Sequence, residues 1–372
     1  METTHLMDPA IWESDAVELR LNPKRPVDVE GLQSFIEDEL GIRAAFVLAT
    51  SGSSGLAKFV VLPKAAILAS ARAVNAHCGL TPDDVWLGNL STFHVGGIGI
   101  HARAHVIGAK VVPMAWDMWT RDGAAFLAAL VEARATLASL TPTHLWDLVR
   151  AGARAPGTLR GLFLGGGRID PVLVKQAIGL GWPIWPTYGM TETASQVATN
   201  VAGNPEWLPL LPIWKARTDK EGRLWLEGDA LCEGTVTRVA GRWEFCPARN
   251  DAGWMATGDA CELRGRELRF LSRLDGVVKV SGELVSLPLL NERLAGLGII
   301  GMIVAVPEPR RGNELVLVCE REHTDAKDRF NEGLPPIERL MRVVEVASLP
   351  RSEIGKLDRL AIEAIEAIAR GH

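Results

Sequence analysis

The sequence lacks the features that mark several whole classes of protein. It has no uncharged apolar run of about 18 residues, the length that crosses a membrane, and its opening METTHLMDPAIWESD has no apolar core of a signal peptide. Its 40 basic and 45 acidic side chains give a net charge of -5, so the basic excess of a broad nucleic-acid or membrane surface is missing. We therefore expect a cytoplasmic protein that binds neither nucleic acid nor membranes, although a local basic pocket for a phosphate ligand stays open.

Cysteine and tyrosine are scarce. The 5 cysteines are odd in number and never form a C-x-x-C pair, which predicts reduced thiols rather than disulfides or a zinc site. Tyr188 is the only tyrosine, in a chain that has 12 tryptophans. The remaining composition, 47% hydrophobic and 23% charged over 372 residues, is that of a globular protein with two or three domains.

Short β-branched runs alternate with alanine-rich helical stretches in the first half of the chain. Residues 44–50 read as a strand, and residues 64–78 have apolar side chains at helical spacing. Asp170 followed by Pro171 predicts the start of another helix. This alternation predicts an α/β architecture with a largely parallel sheet.

The texture of the sequence changes near residue 217. Short strands with turn signals follow, which predict antiparallel hairpins, and a compact α+β tail comes after residue 275. We therefore predict two domains. Residues 1–274 would form a large α/β domain of layered sheets with an antiparallel β subdomain, and residues 275–372 a small α+β domain.

The first candidate site is TSGSSGLAK, residues 50–58, directly after the predicted strand. Small residues let the backbone turn tightly and aim successive N–H groups at an anion, while hydroxyls and a lysine add donors. The pattern cannot be aligned with the G-x-x-x-x-G-K-[ST] of a Walker A loop. We predict a phosphate loop between a strand and a helix; a glycine- and serine-rich surface turn is the alternative.

Three further motifs carry polar side chains at turns. YGMTET, residues 188–193, offers an aromatic face, a hydroxyl and a carboxylate to a nucleotide and its Mg²⁺, but could equally be a strand end before a capped helix. TGD, residues 257–259, with Arg273 could hold ribose hydroxyls or form an ordinary surface turn. PRSEIGK, residues 350–356, ends in Lys356 and could also be a solvated basic loop.

Taken together and in this order, the motifs resemble those of the adenylate-forming superfamily of acyl-CoA synthetases, adenylation domains and luciferases. The likeness runs from about residue 44 to 360 and includes GGGRI (165–169), which resembles the adenine-flanking loop, and RLDG-VVKVSGELV. Within the superfamily, FHVGGIGI (93–100) with Arg103, and YGMTETASQ (188–196), resemble the o-succinylbenzoate–CoA ligases of menaquinone biosynthesis.

The resemblance implies a reaction in two halves. An acid and ATP would form an acyl-adenylate with release of pyrophosphate, and the thiol of CoA would then take the acyl group and expel AMP. A small, mobile C-terminal lid domain would rotate between the halves about a hinge at Asp275. The implied cofactors are therefore ATP, Mg²⁺ and CoA, and the partners are small molecules, among them an aryl carboxylic acid.

The resemblance also implies site residues. The implied catalytic residues are Lys356, Glu192, Thr191 and His94, and the implied Mg²⁺ ligands are Glu192 and Thr50. The implied ATP ligands are Thr50, Ser51, Gly52, Ser53, Ser54, Gly55, Lys58, Gly165, Gly166, Gly167, Tyr188, Gly189, Asp259 and Arg273, and Gly282 would line the CoA channel. The implied acid-binding residues are His94, Gly97, Arg103 and Ser195.

Arg103 is the residue that would select the acid. o-Succinylbenzoate keeps a second, unreacted carboxylate, which a buried guanidinium can hold through two parallel hydrogen bonds. The alternatives are an arginine on the surface of a helix and, for His94, a core histidine whose ring is satisfied by neighbouring groups.

The sequence departs from the family pattern at several points. Only 49 residues precede the candidate phosphate loop, where the family has a much longer segment. Rearrangement or a second copy in a homodimer would have to cover the surface left bare, if anything covers it. Ala57, Ser272 and Gly276 replace the usual proline, glycine and acidic residue. Two other functions stay open: a ligase for another aryl or acyl acid or for a carrier protein, and a degenerate, non-catalytic nucleotide-binding protein.

Overall fold

The structure is a computed structural model that describes residues 5–23, 26–51, 57–115, 118–120, 122–167, 169–274, 276–280, 283–308, 312–320, 325–351, 357–358, 361–362 and 364–366. The chain divides into two compact units. The first is Met1–Thr257 with Cys261–Phe270, and the second is Gly258–Ala260 with Leu271–His372. The hinge residue Asp275 lies outside the described residues, so the domain boundary between residues 274 and 275 stays a prediction.

Strands and helices alternate along most of the first unit. The strands are β1 Val17–Arg20, β2 Ala45–Ser51, β3 Ala57–Pro63, β4 Val85–Gly88, β5 Lys110–Pro113, β6 Leu137–Leu140, β7 Gly161–Leu164, β8 Ile184–Met190, β9 Ser195–Thr199, β10 Leu208–Pro209, β11 Lys215–Thr218, β12 Arg223–Glu227, β13 Gly234–Val239, β14 Arg242–Pro247, β15 Met255–Arg264, β16 Glu267–Arg273, β17 Val277–Val280, β18 Glu283–Ser286, β19 Gly301–Glu308, β20 Gly312–Glu320 and β21 Leu340–Val346. The helices are α1 Ala10–Glu13, α2 Leu32–Ser34 (continued by a π-helical turn, Phe35–Glu39), α3 Lys64–Cys78, α4 Val95–Ile107, α5 Ala124–Ala133, α6 Pro142–Arg150, α7 Pro171–Gly179, α8 Leu287–Gly296 and α9 Ala326–Asn331.

The central sheet of the first unit has the order β5-β4-β6-β7-β8-β9. Its strands run parallel from β5 to β8, and β9 is antiparallel to β8. Helix α7 begins as the sequence predicts, because the Asp170 carboxylate accepts the Val172 N–H at 2.8 Å and proline occupies the first turn. The predicted α/β fold with a largely parallel sheet is confirmed.

A second sheet changes the setting of the candidate phosphate loop. Its order is β1-β2-β3-β13-β14, and β2 pairs antiparallel with β3 from Ala45↔Pro63 to Ser51↔Ala57. The loop therefore connects two strands of a hairpin, and the prediction that a helix follows it directly is wrong. The physical reason is the buried run Phe59–Leu62, whose continuous apolar side chains form a strand before helix α3 begins at Lys64.

The predicted antiparallel hairpins form a third sheet, of order β10-β16-β15-β12-β11, and the hairpin β13–β14. Alternating burial along β12, with Leu224 and Leu226 inside, places one face of that sheet on the core.

The described N-terminal residues pack into the core of the first unit. Leu6, Ile11 and Trp12 are each at most 5% exposed and belong to the same apolar cluster as Phe46. The ammonium of Lys64, 1% exposed, donates to the carbonyl oxygen and the hydroxyl of Ser14 at 2.9 and 2.7 Å. This segment therefore covers a part of the core that the departure from the family pattern leaves in question.

The second unit is a compact α+β assembly. Strands β19, β20 and β21 form one sheet, with β19 antiparallel and β21 parallel to β20, and β17 pairs with β18 as a hairpin. Helix α8 starts at a capped Ser286, whose hydroxyl accepts the Leu289 N–H, and buries Leu290 and Leu294. The predicted α+β tail is confirmed. Within the described part of the chain, no helix is long and apolar enough to cross a membrane.

Candidate functional site

The YGMTET motif forms a tight connection between β8 and β9. Thr191–Thr193 make one turn of 3-10 helix. The Thr193 hydroxyl accepts the Met190 N–H at 3.2 Å and donates to the Met190 carbonyl at 3.0 Å, which closes the turn. A β-carbon at Gly189 would overlap the carbonyl oxygen of Ser195, so only glycine fits there. The predicted alternative of a capped α-helix after the strand is wrong.

Lys58 and Glu192 are brought together although they are far apart in the sequence. The Lys58 ammonium lies 3.1 Å from a carboxylate oxygen of Glu192, and both side chains are partly exposed. The backbone of Glu192 is also held, because its carbonyl accepts the Cys232 N–H at 2.9 Å. The turn thus presents a carboxylate beside a lysine at the end of the hairpin β2–β3.

The donor set around Glu192 suits Mg²⁺ bound together with a nucleotide. Mg²⁺ is commonly held by one or two carboxylates plus substrate phosphates. Among the described residues, no three or more His, Cys, Asp or Glu gather in one group, so a cage built from the protein alone is not found in that part of the chain. The Thr50 hydroxyl, implied as a second ligand, donates to the Lys58 carbonyl at 3.2 Å.

Arg103 lies inside the protein, on helix α4, and is 2% exposed. Its guanidinium carbon lies 5.7 Å from the centre of the Trp86 ring and 5.4 Å from that of Phe163, and one of its terminal nitrogens donates to the Ser195 hydroxyl at 3.1 Å. Burial lowers the pKa of Arg103 to about 10, so it keeps its charge at neutral pH. The alternative of a surface arginine is wrong.

No carboxylate pairs with Arg103 among the described residues, and its Nε finds no hydrogen-bond acceptor there. A buried cation without a counter-charge is costly, and proteins keep such groups where a ligand supplies the charge. The cavity-facing group is therefore fit to bind an anion.

The start of helix α4 carries the other implied acid-binding residues. His94 is the residue before the helix, is half-buried, and has its ring 4.9 Å from that of Phe93. A β-carbon at Gly97 would overlap the Ser91 carbonyl, so this glycine is required by close packing of the backbone. The proposed contact of Gly97 with the acid stays a prediction.

The glycine loop after β7 lies at the carboxyl end of the parallel sheet. The Gly165 N–H donates to the Leu140 carbonyl at 3.1 Å, and Gly166 has φ +76°. Gly166 and Gly167 are exposed, as backbone meant to lie along a ligand must be. Tyr188, in strand β8, is half-buried and has its ring 6.0 Å from that of Phe270.

Asp259 and Arg273 meet in the second unit. The Asp259 carboxylate lies 3.1 Å from the Arg273 Nε, and the side chains are 6% and 51% exposed. The remaining implied residues, Gly52, Ser53, Ser54, Gly55, Asp275, Gly282 and Lys356, lie outside the described residues, as does the side chain of Ser51.

Sequence reasoning missed the aromatic surroundings of Arg103. Trp86 and Phe163 come from β4 and β7, and their rings lie 5.2 Å apart and nearly parallel. Each sits in a continuous apolar run, which predicts a buried strand but not which neighbour the ring faces.

The chain belongs to the AMP-binding enzyme family, whose sequence model matches residues 25–222. It is similar to the 2-succinylbenzoate–CoA ligase of Salmonella typhimurium, with 37% identity over 238 residues that cover 63% of this chain and 48% of that one. It spans about half to three-fifths of the length of the first relatives it matches.

Two solved structures have the same fold. Wild-type Escherichia coli MenE with a bound m-phenylether-linked analogue of OSB-AMS is 27% identical and superimposes with a TM-score of 0.65 over 87% of this chain and 69% of that one. The o-succinylbenzoate CoA synthetase of Bacillus subtilis, in complex with the acyl-adenylate intermediate OSB-AMP, is 21% identical, with a TM-score of 0.71 over 97% and 81%.

Proposed function

We propose that the chain is an ATP-dependent, AMP-forming acid–CoA ligase that converts o-succinylbenzoate into its CoA thioester through an acyl-adenylate, in menaquinone biosynthesis. The observation that carries the proposal is Arg103, a guanidinium 2% exposed with no carboxylate partner among the described residues. An aromatic acid with a second carboxylate supplies the missing charge. The relatives named above, which are o-succinylbenzoate ligases, support the same substrate.

Activation of the acid needs positioning more than strong bases. A carboxylate is already ionised at neutral pH and can attack the α-phosphorus of ATP directly. Lys58 and the N–H groups of the phosphate loop would bind the departing phosphates, and Glu192 would bind Mg²⁺, which neutralises phosphate charge. Tyr188 with Gly165–Gly167 would flank the adenine.

The other residues keep the roles that the resemblance implies. Asp259 and Arg273 would hold the ribose, Lys356 would stabilise charge on the ester and α-phosphate oxygens, and Gly282 would line the path of CoA. Asp275 would serve as the hinge. A cytoplasmic location agrees with five free cysteines, and self-association into a homodimer stays a prediction.

Replacement of Arg103 by methionine tests the substrate. Methionine has a similar length but no charge, so the variant should fold at least as well as the wild type, because an unpaired buried charge disappears. We expect KM for o-succinylbenzoate to rise roughly 10- to 100-fold, the worth of hydrogen bonds between charged groups, while KM for benzoate changes little.

Arg150→Met is the matched control, since Arg150 is exposed on helix α6. It should leave both KM values unchanged. An equal rise for both acids in Arg103→Met would contradict a role for Arg103 in recognition of the second carboxylate.

A further inference from the structure

Two consecutive residues after the YGMTET motif have backbone angles that favour glycine. Ala194 has φ +48° and Ser195 has φ +102°. Residues with a β-carbon avoid this region because the side chain crowds the neighbouring backbone, and at +102° the strain is greater than in the ordinary left-handed region. Strain of this kind persists where the surrounding structure imposes it, and it concentrates at functional sites.

Three contacts impose the conformation of Ser195. The chain passes so close to Gly189 that its carbonyl oxygen occupies the place of a β-carbon there. The Thr193 hydroxyl lies 3.3 Å from the same oxygen. The pairing of β8 with β9 is irregular at this point, with a register shift between Tyr188 and Gly189. The backbone of Ser195 is therefore held from both sides.

The conformation directs the Ser195 hydroxyl at Arg103. The hydroxyl oxygen accepts a hydrogen bond from a terminal nitrogen of the guanidinium at 3.1 Å. The other contacts of the guanidinium group in the described part of the chain are with the rings of Trp86 and Phe163, which restrict its plane but offer no lone pair. The hydroxyl is thus the group that fixes the rotation of Arg103 within that plane.

We propose that Ser195 is a positioning residue, held in a strained backbone conformation so that its hydroxyl orients the Arg103 guanidinium toward the second carboxylate of the acid. The proposal rests on the proposed function, and it changes the role expected of Ser195 from contact with the acid to action through Arg103. The remaining N–H groups of the guanidinium then stay available for the ligand.

Replacement of Ser195 by glycine separates strain from function. Glycine adopts φ +102° without strain, so thermal stability should stay the same or rise. The orienting hydroxyl is lost, so KM for o-succinylbenzoate should rise about tenfold, as expected for one hydrogen bond to a charged group, with kcat and the KM for benzoate unchanged. Ser195→Ala should show the same KM effect without the gain in stability.

Ala194→Gly is the matched control. It relieves strain at the neighbouring residue and keeps the hydroxyl, so the melting temperature should rise while both KM values stay at the wild-type level. In an Arg103→Met background, Ser195→Gly should have no further effect on either acid, because the group it orients is gone.

Two results would overturn the proposal. Unchanged KM for o-succinylbenzoate in Ser195→Gly would show that the hydroxyl does not orient Arg103. Lower stability together with an equal loss for both acids would give Ser195 a purely structural role. A wild-type chain that handles both acids equally would instead overturn the proposed function, and this proposal with it, so the two failures are distinguishable.

Discussion

Helix α4 carries two buried basic side chains of opposite character. Arg103 and His101 are each 2% exposed and two residues apart, so they point to different sides of the helix. Arg103 remains charged, whereas burial lowers the pKa of His101 to about 4, with Arg20 nearby adding to the effect. Both ring nitrogens of His101 lack a hydrogen-bond partner among the described residues, so the ring is held neutral at physiological pH.

His101 should make the protein sensitive to acid. The unfolded chain binds a proton near pH 6.5 and the folded chain only near pH 4, so stability falls as the pH drops from 6.5 towards 4 and is unaffected above that window. The loss can reach about 3 kcal/mol at pH 4. His101→Met should flatten the pH dependence of the unfolding free energy over this range, measured by urea denaturation. An identical slope in wild type and variant would contradict the assignment.

At the scale of single residues, the sequence predicts identity better than environment. A guanidinium at position 103 could be predicted to bind a carboxylate, but the sequence left its burial open. The pair Lys58–Glu192 joins residues from two motifs, and no local pattern indicates a contact over that separation. The strained φ of Ser195 depends on the approach of Gly189, which is a tertiary contact.

At the scale of elements, regular helices were predicted well and short strands less so. Helix α3 covers residues 64–78 as expected, because its apolar spacing is helical throughout. Strand β3 was missed because its continuous apolar run has no period of its own. The parallel pairing of β1 with β2 was also beyond prediction, since it depends on a partner many residues away.

The N-terminal segment should be an essential part of the first unit's core. Trp12 is 5% exposed, stacks on His105 with ring centres 5.6 Å apart, and meets Phe46 edge-on at 5.7 Å. Trp12→Ala should therefore cost about 3–5 kcal/mol of unfolding free energy, measured by chemical denaturation.

Met7→Ala is the control for that prediction, because Met7 lies in the same segment but is 44% exposed. It should cost no more than about 0.5 kcal/mol. An effect of Trp12→Ala as small as that of the control would mean that the segment only rests on the surface.

At the scale of the whole molecule, each unit has a hydrophobic core of its own. In the first unit the core includes Phe46, Trp86 and Trp214, and in the second it includes Leu317 and Phe330. The composition and the change of texture along the chain predicted this division into α/β, antiparallel β and α+β parts. The order of motifs, more than any one of them, indicated the family, because each motif alone also fits an ordinary turn.

The measurement that tests the central claim most directly is pyrophosphate release by the purified chain with Mg-ATP and a panel of acids, with and without CoA. The panel contains o-succinylbenzoate, benzoate, a fatty acid and an amino acid. We expect the strongest release with o-succinylbenzoate, and AMP and a CoA thioester as products when CoA is present. No release with any acid, despite measurable ATP binding, would contradict the account and leave a non-catalytic nucleotide-binding protein.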